Sequence, residues 1–108
     1  LIRLGDFPKA IEELTLALKT KPDDPYARYS RGIAYSILNK NDEALEDFRE
    51  VIRVRPNFPR VYYSKAQLHW KLGEQEAALR DISTAIRLAP RYPQAYYALS
   101  PVSTHGTD

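Results

Sequence analysis

An all-α fold of stacked helix–turn–helix units is what this sequence predicts, and three observations predict it. Prolines recur at Pro22, Pro56 and Pro90, and again at Pro25, Pro59 and Pro93, both at a step of 34 residues. The same step aligns Leu4, Leu38 and Leu72, then Ala10, Ala44 and Ala78, then Ile11, Leu45 and Leu79, then Ala17, Val51 and Ala85, and then Leu18, Ile52 and Ile86. Within each unit the apolar residues fall at helical spacing: Ala44, Leu45, Phe48, Val51 and Ile52 make one stripe, and Ala78, Leu79, Ile82, Ala85 and Ile86 make the next. No single pair of helices can bury such a face alone, so neighbours must stack.

The elements follow in order. Residues 1–24 are a partial repeat, the end of a first helix and then a second helix. The unit 25–58 opens with a helix from Pro25 to about Leu38, with Asp24 as N-cap and Pro25 preset for the first turn. Asn39, Lys40 and Asn41 make the turn, and a second helix runs from Asp42 to about Val54. Its early acids, Asp42 and Glu43, and its late bases, Arg53 and Arg55, suit the helix dipole. Pro56 stops it, lacking an N–H and disfavouring helical geometry at Arg55. The unit 59–92 repeats the scheme: a helix from Pro59 to Leu72, Gly73 as C-cap, a helix from about Gln75 to Leu88, and a stop at Pro90. Residues 93–100 begin a further or capping helix that Pro101 interrupts, and 101–108 have no apolar period and read as a disordered tail. With a first helix entered part-way and no methionine, the sequence reads as a fragment of a longer array. Its flanking surfaces are then open, and homo-oligomerisation through terminal helices is an expectation.

The 108 residues have a net charge of +2, too small to call for nucleic acid, and 28% are charged, as in a soluble globular domain. Residues 55–108 carry seven Lys/Arg against four Asp/Glu, so that half is the place to meet an acidic partner. The absence of cysteine excludes disulfides, zinc knuckles and thiol chemistry, and it fits a reducing, cytoplasmic setting. No apolar run approaches the roughly 18 residues that span a bilayer.

Gly32, Tyr35, Ala44, Phe48 and Pro56, on a 34-residue helix–turn–helix step, resemble the tetratricopeptide repeat (TPR). Ala66, His69, Ala78, Ile82, Ala85 and Pro90 fill those slots in the next unit. Gly5, Asp6, Phe7, Ala10, Ala17 and Pro22 match the last two thirds of an earlier one. The resemblance implies a right-handed α-solenoid. The slots where Trp and Leu are usual hold Arg28 and Arg31, then Tyr62 and Lys65, a form similar to repeats of co-chaperone-like members. Arg31 and Lys65 lie on first helices, with Asp47 and Asp81 sixteen residues later on second helices. An Arg31–Asp47 pair and a Lys65–Asp81 pair are therefore expected within each repeat.

The resemblance also implies a protein-interaction module that binds an extended peptide along a concave wall of first helices. The positions facing that wall are Tyr26, Tyr29, Ile33 and Ile37, then Arg60, Tyr63, Gln67, Trp70 and Lys71, then Gln94 and Tyr97. Tyr29, Tyr63 and Tyr97 form a ladder of rings, although tyrosine in that slot also serves stacking. Aromatic rings beside Arg60 and Lys71 suit a peptide with acidic and apolar groups. Co-chaperones of this family grip a terminal carboxylate with Lys, Asn and Arg on consecutive first helices. Here only Arg60 fits such a slot, with Ser30 and Ser64 where Asn or Arg is wanted, so a full clamp is not expected.

Enzymatic constellations are absent. His69 takes the slot of Tyr35 and reads as packing between helices; His105 lies in the tail, so no paired metal spacing exists. No glycine loop cradles a phosphate, and no cofactor is expected. Glu12, Glu13, Glu43, Glu46, Asp47 and Glu50 read as a solvated outer face. Arg53, Arg55 and Arg60 around one turn are the weak basis for a single-strand nucleic-acid surface. The slightly acidic first half speaks against it, and no nucleic-acid or membrane partner is expected.

Overall fold

In a computed structural model that describes residues 6–89, each helix begins and ends where local chemistry dictates. The five helices are α1 (Phe7–Thr20), α2 (Pro25–Ile37), α3 (Asn41–Val54), α4 (Pro59–Lys71) and α5 (Gln75–Leu88). No strand occurs among the described residues. The Asp24 carboxylate accepts from the backbone N–H groups of Tyr26 and Ala27 at 3.0 and 3.4 Å, which satisfies two of the orphan donors of α2. The same slot before α4 holds Phe58, which makes no side-chain cap.

The turn after each first helix closes in one way. Asn39 and Gly73, 34 residues apart, both take positive φ, 62° and 82°. The N–H of Lys40 donates back to the Tyr35 carbonyl and that of Glu74 to the His69 carbonyl, both at 2.8 Å. This left-handed cap reverses the chain in two residues and sends the second helix back along the first. Glycine was the expected cap at 73; asparagine, which also tolerates this geometry, does the same work at 39.

The chain divides into two compact units, residues 1–56 and 57–108. In the first, α2 packs against both α1 and α3. Its interior holds Ala10 and Leu18 from α1, Gly32 and Ala34 from α2, and Ala44, Leu45, Phe48 and Val51 from α3. Gly32 is required there: a Cβ would stand 2.7 Å from Phe48 Cε1. In the second unit α4 packs against α5. Ala66, Ala78 and Ile82 form its cluster, with Tyr63 and Ile86 packed on the edge.

Two expectations are corrected. Asp47 does not belong to a solvated outer face: it is 1% exposed, because it stands beside Phe48 on the side of α3 that α2 covers. Leu79 does not complete the buried stripe of α5: it is 45% exposed, whereas Leu45 at the same slot is 8% exposed. Leu79 lies outside the cluster that α4 and α5 build around Ala78 and Ile82. Gln94, Tyr97, the helix from Pro93, His105 and the tail fall outside the described residues, as does the first-helix end at residues 1–5.

Candidate functional site

The residues proposed to face a ligand lie on first helices, and their placement follows from the helical period. On α4, Arg60, Tyr63, Gln67, Trp70 and Lys71 fall three and four residues apart and share one face. Arg60, Gln67 and Lys71 are exposed, and Trp70 is 50% exposed, a large apolar ring left in water. Tyr63 is half-buried, its ring on the Ala66–Ala78–Ile82 cluster, and its hydroxyl accepts from Gln67 Nε2 at 3.2 Å. In the other unit, Tyr29 and Ile33 occupy the matching face of α2 and are half-buried. The Tyr29 ring lies 6.0 Å from that of Phe48, so part of this tyrosine is core. Tyr26 and Ile37 are 58% and 51% exposed.

What holds these faces outward is the chemistry on the opposite side of each first helix. Arg31 donates through Nε to Asp47 Oδ2 and through Nη2 to Asp47 Oδ1, both at 2.8 Å, a fork-to-fork pair. The hydrogen bond to Asp47 is the first cause that raises the Arg31 pKa above its ordinary value, so the guanidinium is charged at any working pH. Lys65 donates to Asp81 Oδ2 at 2.9 Å. Both cross-helix pairs expected from the sequence are present.

Three further partners had weaker signals. Arg28 also reaches Asp47 at 3.5 Å and donates to the Pro22 carbonyl at 2.9 Å; its position one turn before Arg31 was the available clue. Arg31 Nη1 donates to Thr15 Oγ1 on α1 at 3.1 Å, so one guanidinium ties three helices. In the second unit His69 is buried, with Nδ1 2.6 Å from Glu74 Oε1 and Nε2 3.8 Å from Asp81 Oδ2. Nearby, burial and then the Asp81 charge push the Tyr62 phenol above its usual pKa.

The basic turn is largely engaged within its own unit. Arg53 Nε pairs with Glu50 at 2.9 Å, and Arg55 donates to the Tyr26 hydroxyl at 2.7 Å with its guanidinium 5.4 Å from that ring. All three arginines considered for nucleic acid are exposed, with Arg60 on α4 in the other unit. Among the described residues no group of three His, Asp or Glu could hold a metal ion, and no helix is long and apolar enough to cross a membrane. The exposed groups can supply a ring, an aliphatic edge, an amide and two cations.

Fold and surface together define a helical-repeat protein of the class that works through its side-chain faces. Two family models match: a TPR repeat model over residues 34–73 and a tetratricopeptide repeat model over residues 59–92. Together they span more than half of the sequence, and the chain belongs to the tetratricopeptide repeat family. No curated protein matches the sequence significantly. Among solved structures it is similar to YrrB, described as a TPR protein with an unusual peptide-binding site, at 25% identity and TM-score 0.86. That match covers 90% of this chain and 50% of YrrB. MamA from Desulfovibrio magneticus RS-1 matches at 28% identity and TM-score 0.82, over 89% of this chain and 54% of MamA. The first TPR of Spaghetti (RPAP3), solved with the HSP90 peptide SRMEEVD, shares the fold at 23% identity and TM-score 0.85, over 92% and 79% of the two chains. The chain therefore spans about half the length of YrrB and MamA.

Proposed function

We propose that this chain is a non-enzymatic adaptor segment that holds a peptide with acidic and apolar groups on its first-helix faces. Trp70 carries the reading. An indole half in water, between the exposed Gln67 and Lys71 and on the same face as Arg60, contributes little to the core of its own unit. Tryptophan and arginine are the residue types that most often dominate binding energy. Tyr63 adds a half-buried ring to this face of α4, and within the other unit Tyr29 and Ile33 are half-buried at the matching slots of α2. The likeness to YrrB, itself described as peptide-binding, supports the reading. A carboxylate clamp of the chaperone kind is not part of it, since Ser30 and Ser64 stand where the clamp needs Asn or Arg.

An array of acidic and apolar peptides probed with labelled chain tests the proposal. Wild type should select acidic–apolar sequences. Trp70→Ala or Arg60→Ala should each weaken the best of them by about 2 kcal/mol, roughly thirtyfold. Equal retention by wild type and the double variant would end it. A second reading, assembly through terminal helix faces, is favoured by Leu16 and Leu79, which are 58% and 45% exposed on the first and last described helices.

A further inference from the structure

The 34-residue step sets Tyr26 on Arg60, near the start of each first helix, and Arg55 on Ala89, just past each second helix. In the first unit Arg55 Nη1 donates to the Tyr26 hydroxyl at 2.7 Å, and the guanidinium stands 5.4 Å from the ring centre. Where α4 has an arginine, α2 thus has a tyrosine with an arginine at its tip. Where the first helix supplies the guanidinium itself, the residue after the second helix is alanine. Each unit keeps this cation at the same slot, drawn from a different place in the sequence.

Tyr26 and Arg55 also wall an open recess of about 530 Å³, together with Lys21, Pro22 and Pro25 of the α1–α2 turn. The turn is braced: Arg28 donates to the Pro22 carbonyl at 2.9 Å, and the Asp24 N–H donates to the Lys21 carbonyl at 3.2 Å. Two acids line the recess as well, and both are engaged. Asp24 caps α2, and Asp23 lies 3.5 Å from Arg53. A phenol is neutral, so Tyr26 fixes Arg55 without cancelling its charge, and a guanidinium carries more N–H donors than this one bond takes. We propose that the recess takes an acidic side chain of the bound peptide, with Arg55 pairing with the carboxylate, Lys21 adding positive charge and Tyr26 as the positioning residue. The inference rests on the peptide-binding reading and gives the α2 face the anion contact that this reading assigns to Arg60 on α4.

The probe is a fluorescein-labelled copy of the acidic–apolar peptide that the array retains best, titrated with the full chain and followed by anisotropy. Arg55→Ala should weaken binding about tenfold. Tyr26→Phe keeps the ring, removes the hydroxyl that holds Arg55, and should cost about threefold. That cost should vanish in the Arg55→Ala background, where nothing is left to position; a tyrosine acting only through packing would lose the same in both. Replacing the peptide's acids one by one with amides should find one whose loss disappears in Arg55→Ala and persists in Arg60→Ala. Arg55 and Tyr26 are exposed, so both variants should keep the wild-type helical circular dichroism. Unchanged affinity of Arg55→Ala, beside weakened binding by Arg60→Ala, would overturn this inference and leave the peptide reading standing. A loss in Arg55→Ala that no single acid shares would also overturn it, as diffuse attraction between charges. Failure of wild type to retain any acidic–apolar peptide would bring down both.

Discussion

The two whole repeats build one hairpin from different parts. On the inner faces the substitutions compensate. A bidentate Arg31 on Asp47 becomes a monodentate Lys65 on Asp81, and Gly32 beneath Phe48 becomes Ala66 beside Ile82. Tyr35 becomes His69, which takes Glu74 as partner. On the outer faces the chemistry itself changes: Tyr26, Ile33, Ser36 and Ile37 of α2 become Arg60, Gln67, Trp70 and Lys71 of α4. A packed interface constrains volume and charge as a set, whereas a surface free of that constraint diverges. The inner face thus records how the repeat is held, and on the proposed function the outer face is what each repeat offers to a partner.

The largest expected effect separates the two ion pairs. Arg31→Ala leaves Asp47 almost fully buried with Arg28 at 3.5 Å as its remaining cation, and it should cost about 3 kcal/mol. Lys65→Ala removes one hydrogen bond from an acid whose side chain is 13% exposed and should cost about 1–2 kcal/mol. Hydrogen exchange resolved by helix would read the difference within each unit. Equal losses would break the comparison.

The volume exchange comes next. Gly32→Ala pushes a methyl into the Phe48 ring, and overpacking of this kind should cost about 1–2 kcal/mol despite the better helix propensity of alanine. Adding Phe48→Ile grafts the pairing of the second repeat onto the first and should recover most of that loss in urea unfolding. Failure of the graft would show that the two interiors are not interchangeable.

The smallest effect is alkaline. The folded state holds the Tyr62 proton more tightly than the unfolded chain does, so its contribution is complete below the ordinary value of 10.0 and is lost as pH rises through the raised one. Tyr62→Phe should therefore flatten the fall in stability above pH 10, by a small amount because the ring is only half-buried.

Much of this architecture was legible in the residues. Proline spacing and the capping residues Asp24 and Gly73 marked the helix ends to within a residue. The sixteen-residue interval between base and acid located both ion pairs, because that distance crosses one turn and returns to the facing helix. Asp47 was harder to read: the same carboxylate fits a solvated stripe or a buried clasp, and only the packing of Phe48 beside it decides. Leu79 was misplaced because apolar spacing along α5 does not say how far the α4–α5 cluster around Ala78 and Ile82 reaches, and Leu79 lies outside it. His69 was legible as a packing residue but not its link to Glu74, since Glu74 takes the slot of Lys40 and breaks the pattern. The positions proposed to face a ligand were legible only as outer-face slots of the first helices, exposed at Arg60, Gln67, Trp70 and Lys71 and half-buried at Tyr29, Ile33 and Tyr63.

Trp70, the single tryptophan, reports directly on whether the outer face of α4 is where a partner sits. Its emission should shift to the blue and saturate as the best acidic–apolar peptide from the array is added, with the midpoint moved to higher concentration by Arg60→Ala. Emission that stays unchanged while anisotropy shows the peptide bound would contradict the account.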